Sequence, residues 1–172
     1  MKRLIAKLAR RNTRCTCCGQ KVDNHLPAIA FSAPDYWQED FVSKPGCMLD
    51  SDFCIVDSEA YFVRTVLRIP IINSKEHFEW GVWVSLSEKN FKRYQKVYGT
   101  KAELDEKSYF GWLSNQIKSY PDCLEIKTQV HLQGGGVRPL LELDHINMHP
   151  LCQEQHNGIT LERAHQIVKE SL

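Results

Sequence analysis

Cys15 and Cys18 are separated by two residues, and Gly19 follows the second. A C-x-x-C pair chelates a metal only when a tight turn aims both sulfurs at one point. A glycine after the second cysteine relieves the backbone geometry that such a turn demands. The pair is half of a tetrahedral structural zinc site. No second C-x-x-C or spaced histidine pair completes an unambiguous finger, so the other ligands come from Cys54, Cys47, His25, His149 and Cys152, with Cys54 and His149 ranked first. Two other readings stay open. The same spacing serves dithiol redox chemistry, but that needs a helix-capped thiolate after a β-α-β strand, which residues 1–14 do not supply. The third is a set of ordinary reduced thiols. Seven cysteines are an odd number, so intramolecular disulfides cannot use them all.

Other chemistry-bearing residues form weaker patterns. His145 and His149 are four apart, but Pro150 and the strand-like run before them argue against a shared helical face, and the glutamate of H-E-x-x-H is missing. Gly134, Gly135 and Gly136 lack the G-K-[ST] ending of a phosphate loop and read as a hairpin connection. There is no G-x-S-x-G, and Ser85 and Ser87 have no identifiable partner base. A binding surface is suggested by Arg64, Arg68 and Trp83, joined by Glu79, Gln129 and His131 if their strands are neighbours. Arginine and tryptophan are favoured interface anchors. The plainer alternative is a helix or loop covering that face.

The elements that position these residues are mostly strands. In 60–72, Tyr61, Val63, Thr65, Leu67 and Ile69 share one face, and in 78–86 Phe78, Trp80, Val82, Val84 and Leu86 do the same. In 123–132 the alternating set is Leu124, Ile126, Thr128, Val130 and Leu132, and a short strand follows at 138–143. Alternation of this kind means sheets with one buried and one wetter face, most often antiparallel. Ser87 caps a predicted helix over 88–98, a second helix is predicted over 109–118 with Phe110, Leu113 and Ile117 inward, and Thr160 caps a last one over 161–170. Residues 15–50, punctuated by Pro27, Pro34, Pro45 and Gly46, read mostly as loop. The expected fold is α+β: a mostly antiparallel β-sheet with two or three helices and a loop-rich, cysteine-containing N-terminal segment.

The chain has 172 residues and a formal net charge of +1. Residues 1–14 carry Lys2, Arg3, Lys7, Arg10, Arg11 and Arg14 and no acid, a local +6. The remainder holds 16 Lys+Arg against 21 Asp+Glu, or −5. A basic arm (1–14) therefore precedes one mildly acidic globular domain (15–172). The arm reads as a solvated terminus, and its clustered cations also allow contact with nucleic acid or anionic lipid. No apolar run approaches the roughly 18 residues of a membrane span, and the expected location is the cytoplasm.

Several stretches in order carry a resemblance: Cys15-Thr-Cys-Cys-Gly19, Leu26-Pro27, Ser51-Asp52-Phe53-Cys54, Tyr61-Phe62-Val63-Arg64, the run from Trp80 to Ser87, Tyr109-Phe110-Gly111-Trp112-Leu113, Tyr120-Pro121, Arg138-Pro139-Leu140 and His149-Pro150-Leu151. Together they resemble the bacterial domain-of-unknown-function family 2199, over about residues 15–170. The resemblance implies a small bacterial domain and brings no activity with it. Three functions follow from the residues. The first is a non-catalytic binding or accessory module with structural zinc, holding a protein partner. The second is an enzyme using Asp52, Cys54, Asp57, Arg64 and His149, and the third is nucleic-acid binding through the basic arm.

Overall fold

A computed structural model describes residues 26, 28–146 and 148–171. Eight strands and three α-helices follow one another as β1 (Ile29–Ala30), β2 (Met48–Leu49), β3 (Phe53–Val56), β4 (Ala60–Pro70), β5 (His77–Leu86), α1 (Glu88–Val97), β6 (Tyr109–Leu113), β7 (Lys127–His131), β8 (Leu140–Leu143), α2 (Pro150–Asn157) and α3 (Leu161–Ser171). Short 3-10 turns occupy Glu39–Ser43 and Lys101–Asp105.

The length of β4 sets the architecture. One edge pairs antiparallel with β5 from Tyr61↔Leu86 to Pro70↔His77. The other edge is shared: its first residues pair with β3, and Val66 and Leu67 pair in parallel with Leu140 and Leu141 of β8. Since β5–β6–β7–β8 are joined by antiparallel ladders, this last pairing closes a five-stranded barrel. β3 and β2 extend one side of it, and β1 lies parallel along β5. The fold is α+β and mostly β, in a mixed sheet.

The barrel fills with the inward set the alternation marks out: Val63, Leu67, Ile69, Trp80, Val82, Val84, Leu113, Val130 and Leu141 are all nearly solvent-free. Thr65 joins them because its hydroxyl donates to Val82 O at 3.1 Å, which meets the cost of burying it. Helix α1 starts where Ser87 Oγ accepts the Asn90 N–H, and it turns Phe91 and Tyr94 onto Phe53 and buries Val97 in the same core. Leu151, Cys152, Ala164 and Ile167 bring α2 and α3 onto the same core.

Two elements differ from the sequence expectation. Residues 109–113 form strand β6, not a helix. Tyr109, Gly111 and Leu113 face inward while Phe110 and Trp112 stay exposed, so an aromatic period-2 pattern overrides the helical spacing of Phe110, Leu113 and Ile117. His145 and His149 share no helix, as expected, but a helix that the sequence pattern does not announce, α2, begins at Pro150. At the first helical position its missing N–H costs nothing, and His149 Nδ1 accepts the Leu151 N–H at 3.2 Å. The glycine triplet connects β7 to β8 with all three residues at positive φ.

Candidate functional site

Phe62, Ser85 and Trp112 stand in one row across β4, β5 and β6. Their strand neighbours Val63, Val84 and Leu113 point into the barrel, so the three face its outer wall. Strands lie about 4.8 Å apart, which separates the roots of the two aromatic walls by roughly 10 Å with only a serine between them. Tyr36, from the loop after β1, stacks on Phe62 with ring centroids 5.5 Å apart. Together with Ala60 and Glu125 these residues line a cleft of about 310 Å³.

Glu125 reaches the cleft through a bulge. Its N–H donates to Leu113 O at 2.8 Å while Leu113 N–H donates to Ile126 O at 2.9 Å, so two residues entering β7 oppose one of β6. The bulged residue takes φ +59°, a left-handed conformation that costs a non-glycine residue about 1 kcal/mol. The Tyr36 hydroxyl donates to Glu125 Oε1 at 3.1 Å. Partial burial, then the Glu125 hydrogen bond and the charges of Glu125 and Asp35, push the Tyr36 phenol above its ordinary value. The rim is exposed and aromatic: Tyr36 is 42% accessible and Trp112 39%, while Phe110, 44% accessible, lines the adjoining depression. Phe110 and Trp112 meet edge to face at 5.1 Å. Such a site offers apolar area and one carboxylate, which is recognition chemistry rather than paired acid–base chemistry.

The residues expected at a binding surface are divided. Arg64 and Arg68 lie on the outer wall of β4. Arg68 Nε pairs with Glu79 Oε1 at 2.7 Å, an exposed ion pair of at most about 1 kcal/mol. Arg64 Nη1 lies 3.5 Å from Ser51 O, while its buried Nε has no partner. Burial, then the adjacent Arg138 cation, lower the Arg64 value, and Asp52 opposes them. Trp83 corrects the expectation: it is fully enclosed. The chain from Phe31 to Trp37 covers this part of the wall, Trp83 Nε1 donates to Phe31 O at 3.2 Å, and Trp83, Phe62 and Cys54 form a second small core. Gln129 and His131 stand on β7, and His131 pairs with Glu142.

Among the proposed metal ligands, Cys15, Cys18 and His25 lie outside the described residues. Cys54 and His149 are not brought together. Cys54 belongs to the outer cluster, and burial, then the Cys47 thiol and Asp50, push its own thiol up to about 12. His149 caps α2, which packs on β4 and β8 with Leu151 and Cys152 in the main core. Among the described residues no group of three or more His, Cys, Asp or Glu side chains is placed to hold a metal ion.

Of the five residues considered for catalysis, Asp52 and Arg64 are neighbours, the Arg64 N–H donating to Asp52 O at 2.9 Å, but the set as a whole is not gathered at one site. Asp57 pairs with Lys44 at 2.6 Å, and Asp52 with Arg138 Nε at 2.7 Å. Burial opposes ionisation of Asp52, but hydrogen bonds from Ser51 and Arg138 outweigh it and hold the carboxyl below the usual range. That favours a fixed charge over a group poised to exchange protons near neutrality. Sequence patterns do not single out Tyr36, Phe62, Ser85, Trp112 and Glu125 as one site, although Phe62, Ser85 and Trp112 all fall in the stretches that carry the family resemblance. The available signal was the alternation in Tyr109-Phe110-Gly111-Trp112-Leu113, which turns two aromatics outward once it is read as a strand.

Comparison with curated proteins and with solved structures found no match. Among protein families, the model of uncharacterized proteins conserved in bacteria, DUF2199, matches residues 14–159, which takes in the whole barrel and α2 and stops short of α3. The stretches that form the barrel's strands thus carry the family pattern, and the chain belongs to DUF2199.

Proposed function

We propose that this domain is a non-catalytic binding or accessory module that holds a protein partner on the outer wall of its barrel, at the cleft between Phe62 and Trp112. One observation carries the reading: Tyr36 and Trp112 remain exposed at a cleft whose floor is a serine, and a third exposed aromatic, Phe110, stands edge to face against Trp112. Aromatic anchors around a recess are what interface hot spots are made of. A cytoplasmic setting accords with Cys47, Cys54, Cys123 and Cys152, which are free thiols. Among the described residues no helix is long and apolar enough to cross a membrane.

A photoreactive residue in place of Phe110 tests the site in cells. The expected result is one discrete covalent adduct, lost when Trp112→Ala is added and absent when the probe replaces the exposed Val137 instead. No adduct above background at position 110 ends the reading.

The second part of the proposal is a zinc-supported N-terminal segment using Cys15 and Cys18. Purified protein should then carry stoichiometric zinc, and a chelator should lower its melting temperature. Metal-free protein with chelator-independent stability removes zinc from the account.

A further inference from the structure

We infer that the cleft takes a planar organic cation, the guanidinium of an arginine on the partner segment, against the rings of Tyr36 and Trp112 with Glu125 as its counter-charge. This rests on the binding reading above and adds the chemistry of the bound group. Three observations support it.

The first is charge. The residues lining the cleft include one carboxylate and no base. The base opposite Trp112 in the β6–β7 ladder, Lys127, lines the neighbouring depression with Asp144 instead. Asp35 adds to the negative field at Tyr36, because the phenol responds to both acids. The second is the wall chemistry. Ring faces carry negative potential and attract cations, and guanidinium, being flat and weakly hydrated, stacks on them while forking onto a carboxylate. The third is the bulge. Glu125 is held at φ +59°, where a side chain rarely sits, and an ordinary strand pairing there would not need it. Strain kept at the rim of a recess, and spent on aiming a carboxylate, points to a ligand that needs that charge.

The test uses the full chain and N-acetyl-arginine amide, followed through the Trp112 indole N–H resonance, which is assigned by its loss in Trp112→Phe. The arginine amide should shift this signal and saturate in the millimolar range. N-acetyl-citrulline amide, its neutral isostere, should bind at least about tenfold more weakly, and Glu125→Gln should weaken the arginine amide by about tenfold. Glutamine keeps an oxygen for the Tyr36 hydroxyl, and an unchanged melting temperature confirms that the variant is folded. Citrulline or lysine amide binding as tightly as arginine amide overturns the inference. So does an arginine amide that ignores Glu125→Gln, or one that leaves Trp112 unmoved. In each case an adduct persisting from position 110 leaves the binding reading standing, whereas loss of both removes both.

Discussion

Gly111→Ala should lower the melting temperature by roughly 5–10 °C, although it adds a single methyl group. A Cβ built on Gly111 lies 2.5 Å from Ser85 O and 2.5 Å from Val84 Cγ1. The first is backbone in the β5–β6 ladder, where Gly111 pairs with Leu86 and Trp112 with Ser85. It cannot retreat without breaking hydrogen bonds on which barrel closure depends, and the second belongs to a fully buried valine. Overpacking of this kind costs about 1–3 kcal/mol and lies at the upper end when backbone must move. In a domain of this size each kcal/mol shifts the midpoint by about 2–4 °C. Gly99 is the control, since a Cβ there meets nothing within 4 Å and alanine meets only the backbone cost at φ +73°, about 1 kcal/mol. Thermal unfolding followed by circular dichroism separates the two. Gly111→Ala melting within a degree or two of the wild type would mean that β6 is free to move off β5. Because the same close approach sets Trp112 beside Ser85, the variant should also change tryptophan emission at temperatures where it remains folded.

The parts of this fold that are legible in the sequence are those with a local cause. The facing of β4 and β5 follows from strict alternation, and the start of α1 from a serine whose Oγ meets the Asn90 N–H. Barrel closure has no such cause. It rests on two parallel pairs, Val66↔Leu140 and Leu67↔Leu141, between segments more than 70 residues apart, and neither segment signals its partner. Trp83 shows the same limit from the other side. Its place opposite Arg64 in the β4–β5 ladder agrees with period 2, but exposure depends on whether a loop crosses it, and Phe31 to Trp37 does. Strand β6 was obscured because Phe110, Leu113 and Ile117 also fit a helix, and only tertiary pairing decides between the two periods. The cleft combines both kinds of information. Phe62, Ser85 and Trp112 come from registered strands, whereas Tyr36 comes from an irregular loop and Glu125 from a bulge with no glycine to announce it.

One buried side chain makes two hydrogen bonds to the loop that carries Tyr36, and Asn115→Ala should loosen that loop at a large cost in stability. Asn115 is fully buried. Its Oδ1 accepts the Trp83 N–H at 2.8 Å, and its Nδ2 donates to Ala33 O and to Asp35 Oδ1, both at 2.9 Å. Alanine leaves the Trp83 amide and the Ala33 carbonyl without these partners beneath a covered surface, and unsatisfied buried groups of this kind cost about 1–3 kcal/mol each. Asp35 keeps the Gln116 N–H at 2.7 Å, and its own N–H keeps Ser114 O at 2.9 Å, so the loss is partial. A fall of about 2–4 kcal/mol in urea-derived stability is expected, with the slope unchanged. Faster proteolytic cleavage should appear within residues 31–37, where the covering chain loses the two hydrogen bonds from Asn115. Asn115→Asp separates the hydrogen-bond argument from the loss of volume. It has nearly the same shape and can still accept from Trp83, but it loses both donors and places a second carboxylate against Asp35. At neutral pH it should be destabilised at least as much as the alanine variant, and its deficit should shrink as the pH falls toward the carboxylate range, where one of the two acids takes up a proton. An aspartate variant as stable as the wild type at neutral pH would show that the amide is not what joins the Tyr36 loop to the barrel.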